Sequence, residues 1–131
     1  MLPAMIPYGV YRLVHFFGIF LLLTALGGGV MRAILGEGGT EAERAAAGRT
    51  RRLIAISHGV ALLLILVGGF GMLARLDIGF PMWIVAKLAI WLLLGAGLTV
   101  AYRMKASARL VWFAIPVLGL LAAWLAYVKP I

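Results

Sequence analysis

Long stretches without a charge alternate with short polar joints along this chain, and the lengths of the stretches set the fold. Four apolar runs, residues 10–34, 53–76, 82–102 and 110–128, are dominated by Leu, Val, Ile, Phe, Ala and Gly. Each has about twenty residues or more, enough at about 1.5 Å per residue to cross a hydrocarbon layer of about 30 Å. Polar positions do not alternate with apolar ones in these runs, as they would in a barrel strand. Each run therefore predicts a helix that satisfies its own backbone groups. The expected fold class is all-α, an integral membrane bundle of four transmembrane helices. The joints, residues 36–52, 77–81 and 103–109, are too short for an extramembrane domain. The chain thus reads as a single four-helix transmembrane domain over residues 1–131.

Local signals place the ends of the runs. Pro3 and Pro7 predict a non-helical lead, with the first helix starting near Tyr8. Gly36, Gly38 and Gly39 predict its stop. Thr40 followed by Glu43 has the spacing of a capping box and predicts a short surface helix over residues 41–47, separate from the membrane helix that begins at Leu53. Pro81 suits entry to the third helix. Pro116 frees a carbonyl inside the fourth and predicts a kink. Tyr8, Tyr11, Trp83, Trp112, Trp124 and Tyr127 fall near run ends, where aromatic belts sit.

Composition agrees with this pattern. At 65% hydrophobic and 12% charged residues, the chain is far more apolar than a soluble domain. The net charge of +8 does not imply a nucleic-acid partner, because the basic residues cluster at run ends and act as topology signals. Arg32, Arg44, Arg49, Arg51, Arg52, Arg103, Lys105 and Arg109 mark one set of ends. Arg12, Arg75, Lys87 and Lys129 mark the other. Eight against four places the first and third joints in the cytoplasm and both termini outside, the expected layout in a bacterial inner membrane. The first run is longer than a signal-peptide core and lacks a basic leader, so it reads as the first helix. With no cysteine, disulfides, iron–sulfur clusters and thiolate metal sites are excluded.

Ionisable groups inside a membrane are costly and are functional candidates for that reason. Apart from the arginines at the run ends there are three: His15, His58 and Lys87. In antiparallel helices His15 and Lys87 fall at nearly one depth, close to Arg12, Trp83 and Tyr127. His58 falls about 15 Å deeper, too far from His15 for both to ligate one haem iron within a chain. His15 with Lys87 suits a quinone carbonyl, a haem propionate or a lipid phosphate; a plain structural reading has Lys87 snorkelling and His15 bonded to a neighbouring carbonyl. Gly27, Gly28 and Gly29 should lie near the level of His58, and Gly68 and Gly69 near that of His15, with Gly71 further toward the outer end of the second run. Such glycines permit close helix packing or the approach of a flat ring. No carboxylate accompanies the Ser57–His58 pair, so hydrolytic chemistry has no support.

His15 in the first run, SHGVALLLILVGGFGM in the second and WIVAKLAIWLLLGAGLTVAYR in the third resemble small four-helix membrane proteins of the SirB-like type. More distantly they are similar to copper-resistance D-like and b-type cytochrome membrane domains. The resemblance implies a small membrane protein near electron-transfer systems. The chain departs from the paired-histidine cytochrome pattern, because its two histidines differ in depth. The expected role is a non-catalytic subunit or accessory of a membrane assembly, with the lipid bilayer and other membrane subunits or further copies of itself as partners. The alternatives are a redox-active protein that binds b-type haem through His15 or His58, or quinone through His15 and Lys87, and a small oligomeric transporter.

Overall fold

A computed structural model describes residues 6–36 and 38–131; most of the expected non-helical lead, and Glu37 of the first joint, lie outside them. The described elements are α1 (Tyr8–Leu35), α2 (Glu41–Leu76), α3 (Met82–Arg103), a single 3₁₀ turn (Lys105–Ser107) and α4 (Ala108–Val128). There is no strand among the described residues, and all four helices are long and apolar enough to cross a membrane.

The helix ends follow local chemistry. Extended Pro7 precedes α1, and Gly36 closes it at φ 77° with its N–H donating to the Arg32 carbonyl. The capping box at α2 is complete: the Glu43 N–H donates to Thr40 Oγ1 and the Thr40 N–H to the Glu43 carboxylate, both at 3.2 Å.

Contrary to expectation, the surface helix over 41–47 and the second membrane helix are a single element of 36 residues. Residues 48–52 contain one glycine and no proline, and an isolated glycine costs a helix only about 1 kcal/mol. Thr50 Oγ1 also donates back to the Ala46 carbonyl across the junction. At its full length of about 54 Å, α2 outruns α3 and carries its arginines past the bundle. α4 carries Pro116 within it, with helical residues on both sides.

The bundle is built around α1, which packs against the other three helices and most extensively against α2. Leu22, Leu26 and Val30 of α1 are the largest of its fully enclosed side chains, packed in one core with Ile54, Ala61, Ile90, Leu94, Leu98 and Ile115. Two glycines set the α1–α2 spacing. A Cβ at Gly18 would stand 2.8 Å from the Ile65 nitrogen, and one at Gly68 would stand 2.6 Å from the His15 nitrogen. Each helix thus presses backbone to backbone on the other, as small residues allow between membrane helices. α2 and α3 meet at few places, which leaves a gap between them. Large apolar side chains such as Phe17, Leu63, Phe113 and Leu120 point away from the bundle.

Candidate functional site

The gap between α2 and α3 is where the ionisable residues of α1 and α3 meet. His15 lies against α2 because Gly68 and Gly69 leave room for it; its ring carbon Cε1 is 3.4 Å from where a Cβ at Gly69 would be. Its Nδ1 is 2.8 Å from the Ile65 carbonyl. A carbonyl only accepts, so Nδ1–H donates and, in the neutral ring, Nε2 is left as an acceptor. The bond to a neighbouring carbonyl is therefore present and occupies one side of the imidazole.

Lys87 faces His15 from α3, one turn beyond the buried Trp83, and its ammonium lies 6.0 Å from the Trp83 ring centre. His15, Lys87, Ile65 and Trp91 line two cavities that adjoin at these residues. The smaller, about 190 Å³, opens between α2 and α3 toward Tyr8, Trp83 and Lys129. The larger, about 430 Å³, runs from His15 and Lys87 along Phe16, Phe20, Leu23, Pro116 and Gly119 between α1, α3 and α4. Trp91 ties the two walls together, with its Nε1–H donating to the Leu62 carbonyl at 3.0 Å.

The remaining candidates sit elsewhere. His58 is buried, with Nε2 3.4 Å from the Leu94 carbonyl, and it lines neither cavity. Ile65, which holds His15, follows His58 on α2 seven positions on, or about 10 Å along the axis. Arg12 turns to the Phe16 ring at 5.7 Å, and Tyr127 is almost fully exposed. Among the glycines, Gly29 presses on Leu98 and Gly71 on the Tyr11 ring, whereas a Cβ at Gly27 or Gly28 would meet nothing nearer than 3.9 or 3.8 Å. Sequence reasoning misses Gly18, Trp91 and Lys129 as parts of the site. Gly18 stands one turn after His15, on the same face, and that spacing is the available signal.

The arrangement bears on a haem. A histidine with one ring nitrogen fixed by a carbonyl and the other open is held as metal-bound histidines are. His15 and His58, however, bond different helices at different levels, so they do not fit a haem clamped between them in one chain. No cluster of three His, Cys, Asp or Glu side chains suited to a metal ion occurs among the described residues.

Fold and cavity together define a bundle of four apolar helices with a cleft headed by a histidine and a lysine. Compared with protein-family models, with curated proteins and with solved structures, the chain matches none.

Proposed function

We propose that this chain is inserted in a bacterial inner membrane as four spans with both termini outside, and that it is a non-catalytic, quinone-binding subunit of an electron-transfer assembly. The observation that carries the reading is the pairing of His15 and Lys87 at the head of an apolar cleft of about 430 Å³. Lys87 brings N–H donors for a quinone carbonyl, and neutral His15 Nε2 accepts from a quinol hydroxyl. The aromatic and aliphatic walls below them, Phe16, Phe20 and Leu23, suit an isoprenoid tail. Pockets of this make, apolar with few convergent polar groups, are the usual form of a small-molecule site.

The subunit part of the reading rests on the apolar outer faces of α2 and α4, which bury only 22% and 11% of their most hydrophobic windows within the chain. Lipid or neighbouring membrane helices would cover them. The SirB-like resemblance points the same way, toward a small membrane protein near electron-transfer systems. A transport role would need a polar path, and the walls of both cavities are mainly apolar.

Lys87→Met keeps the volume of the side chain and removes its donors. In lipid nanodiscs it should weaken binding of a short-chain quinone, followed by tryptophan fluorescence, by about tenfold, the worth of one charge-assisted hydrogen bond. The thermal unfolding transition should stay where it is. Unchanged affinity in a folded variant would contradict the reading.

A further inference from the structure

We propose a second binding site, for the phosphate of an acidic phospholipid, formed by Lys87, Lys129 and Trp83 at the end of the bundle that carries Tyr8 and Val128. The Lys87 and Lys129 ammonium groups lie 6.0 and 5.4 Å from the centre of the same buried indole ring. They are therefore within about 11 Å of each other, close to the screening length of ordinary buffer. Two like charges share one aromatic platform, and neither has a carboxylate partner among the described residues. Of the acidic residues described, Glu41 and Glu43 open α2 at the opposite end of the bundle, and Asp77, which caps α2 between the cavity-lining Leu76 and Ile78, does not itself line either cavity. A bridging anion relieves the repulsion that the chain itself leaves in place.

The backbone adds an independent observation. Lys129 closes α4 in the left-handed conformation, φ 50°, a position that glycine normally takes. A lysine there is mildly strained, and its ammonium returns over Trp83 across the mouth of the smaller cavity. The cavity behind that mouth is walled by Leu66, Phe70, Leu73 and Leu88. Apolar walls behind a cationic mouth suit a headgroup that brings its own acyl chain and give a free phosphate nothing. Trp83, in the first turn of α3, stands at headgroup depth if α3 spans the bilayer. The site goes beyond the quinone reading, since Lys129 and Trp83 do not line the larger cleft and a quinone head carries no charge.

The test uses the full chain in phosphatidylcholine nanodiscs that contain either brominated phosphatidylglycerol or brominated phosphatidylcholine at equal mole fraction. Quenching of Trp83 is read as the difference between the protein and its Trp83→Phe variant. The acidic lipid should quench with an apparent preference of about fivefold or more. Lys129→Gln should remove most of that preference and Lys129→Arg should keep it. Equal quenching by the two lipids, or a preference that survives Lys129→Gln, would overturn the site. So would loss of the preference in Lys129→Arg. Release of the acidic lipid by inorganic phosphate, beyond a sodium chloride control of equal ionic strength, would assign the site to a soluble anion and overturn the lipid.

Discussion

Gly68→Ala should lower the stability of the bundle by about 1–3 kcal/mol, the usual cost of forcing a methyl group into a filled contact. The added carbon would stand 2.6 Å from the His15 nitrogen and 2.7 Å from the Tyr11 carbonyl oxygen. Both are backbone atoms within a helix, so no side chain can swing aside and α1 must move off α2. Gly18→Ala should cost a similar amount, because its new carbon would meet the Ile65 nitrogen at 2.8 Å and the Ala61 carbonyl oxygen at 3.0 Å. Gly28→Ala is the control. Its nearest neighbour, a methyl of Ile54, would be 3.8 Å away, and alanine is the better helix former by about 1 kcal/mol. Unfolding in graded mixtures of mild and denaturing detergent measures all three. A neutral Gly68→Ala would mean that the helices do not touch backbone to backbone there.

Leu26→Ala should cost about 2–3 kcal/mol, the lower end of the range for buried leucines. Leu26 is fully enclosed at 0% exposure, and its methyl groups lie 3.4 and 3.6 Å from where a Cβ at Gly97 would be. The large leucine of α1 therefore fills the notch that the missing side chain leaves on α3. Within a bilayer a leucine side chain gains little by moving from lipid to the core, because lipid is as apolar as the core. What the substitution costs is the cavity it opens and the dispersion attraction its lining forfeits. Leu13→Ala, at a position 71% exposed, should be nearly silent in the same detergent titration.

Much of the fold is legible in the residues because helix length and helix punctuation are local properties. The Pro7 start, the Gly36 stop, the capping box at Thr40 and the Pro81 start all depend on neighbours a few positions away, and all appear where the sequence puts them. The junction at residues 48–52 misleads for the same reason turned round. Charged residues there signal the end of the apolar run, but charge does not end a helix, and the lone Gly48 is not enough to stop one. The glycine triplet is the most conspicuous packing signal, yet consecutive helical positions point about 100° apart. Of Gly27, Gly28 and Gly29, only Gly29 is wedged tightly against neighbouring side chains.

The candidate site divides along similar lines. Counting residues from the helix ends is enough to bring His15 and Lys87 to one layer, and both line the two adjoining cavities. It cannot give the tie from His15 to Ile65 or from Trp91 to Leu62, because these depend on helix rotation and on how closely the glycines let α1 and α2 approach. In the sequence Lys129 is only a charge at a run end, since it is the left-handed turn after α4 that sends it back over Trp83.

The His15–Lys87 cleft, as proposed, holds a quinone. The most direct test is an organic extract of the gently purified protein, assayed by the oxidised-minus-reduced ultraviolet spectrum of quinone, with a pyridine haemochrome assay on the same preparation. The expected result is quinone approaching one per chain, lost in His15→Leu while the variant remains folded, and no stoichiometric haem. Quinone absent from the protein, quinone kept equally by His15→Leu, or b-type haem at one per chain would contradict it.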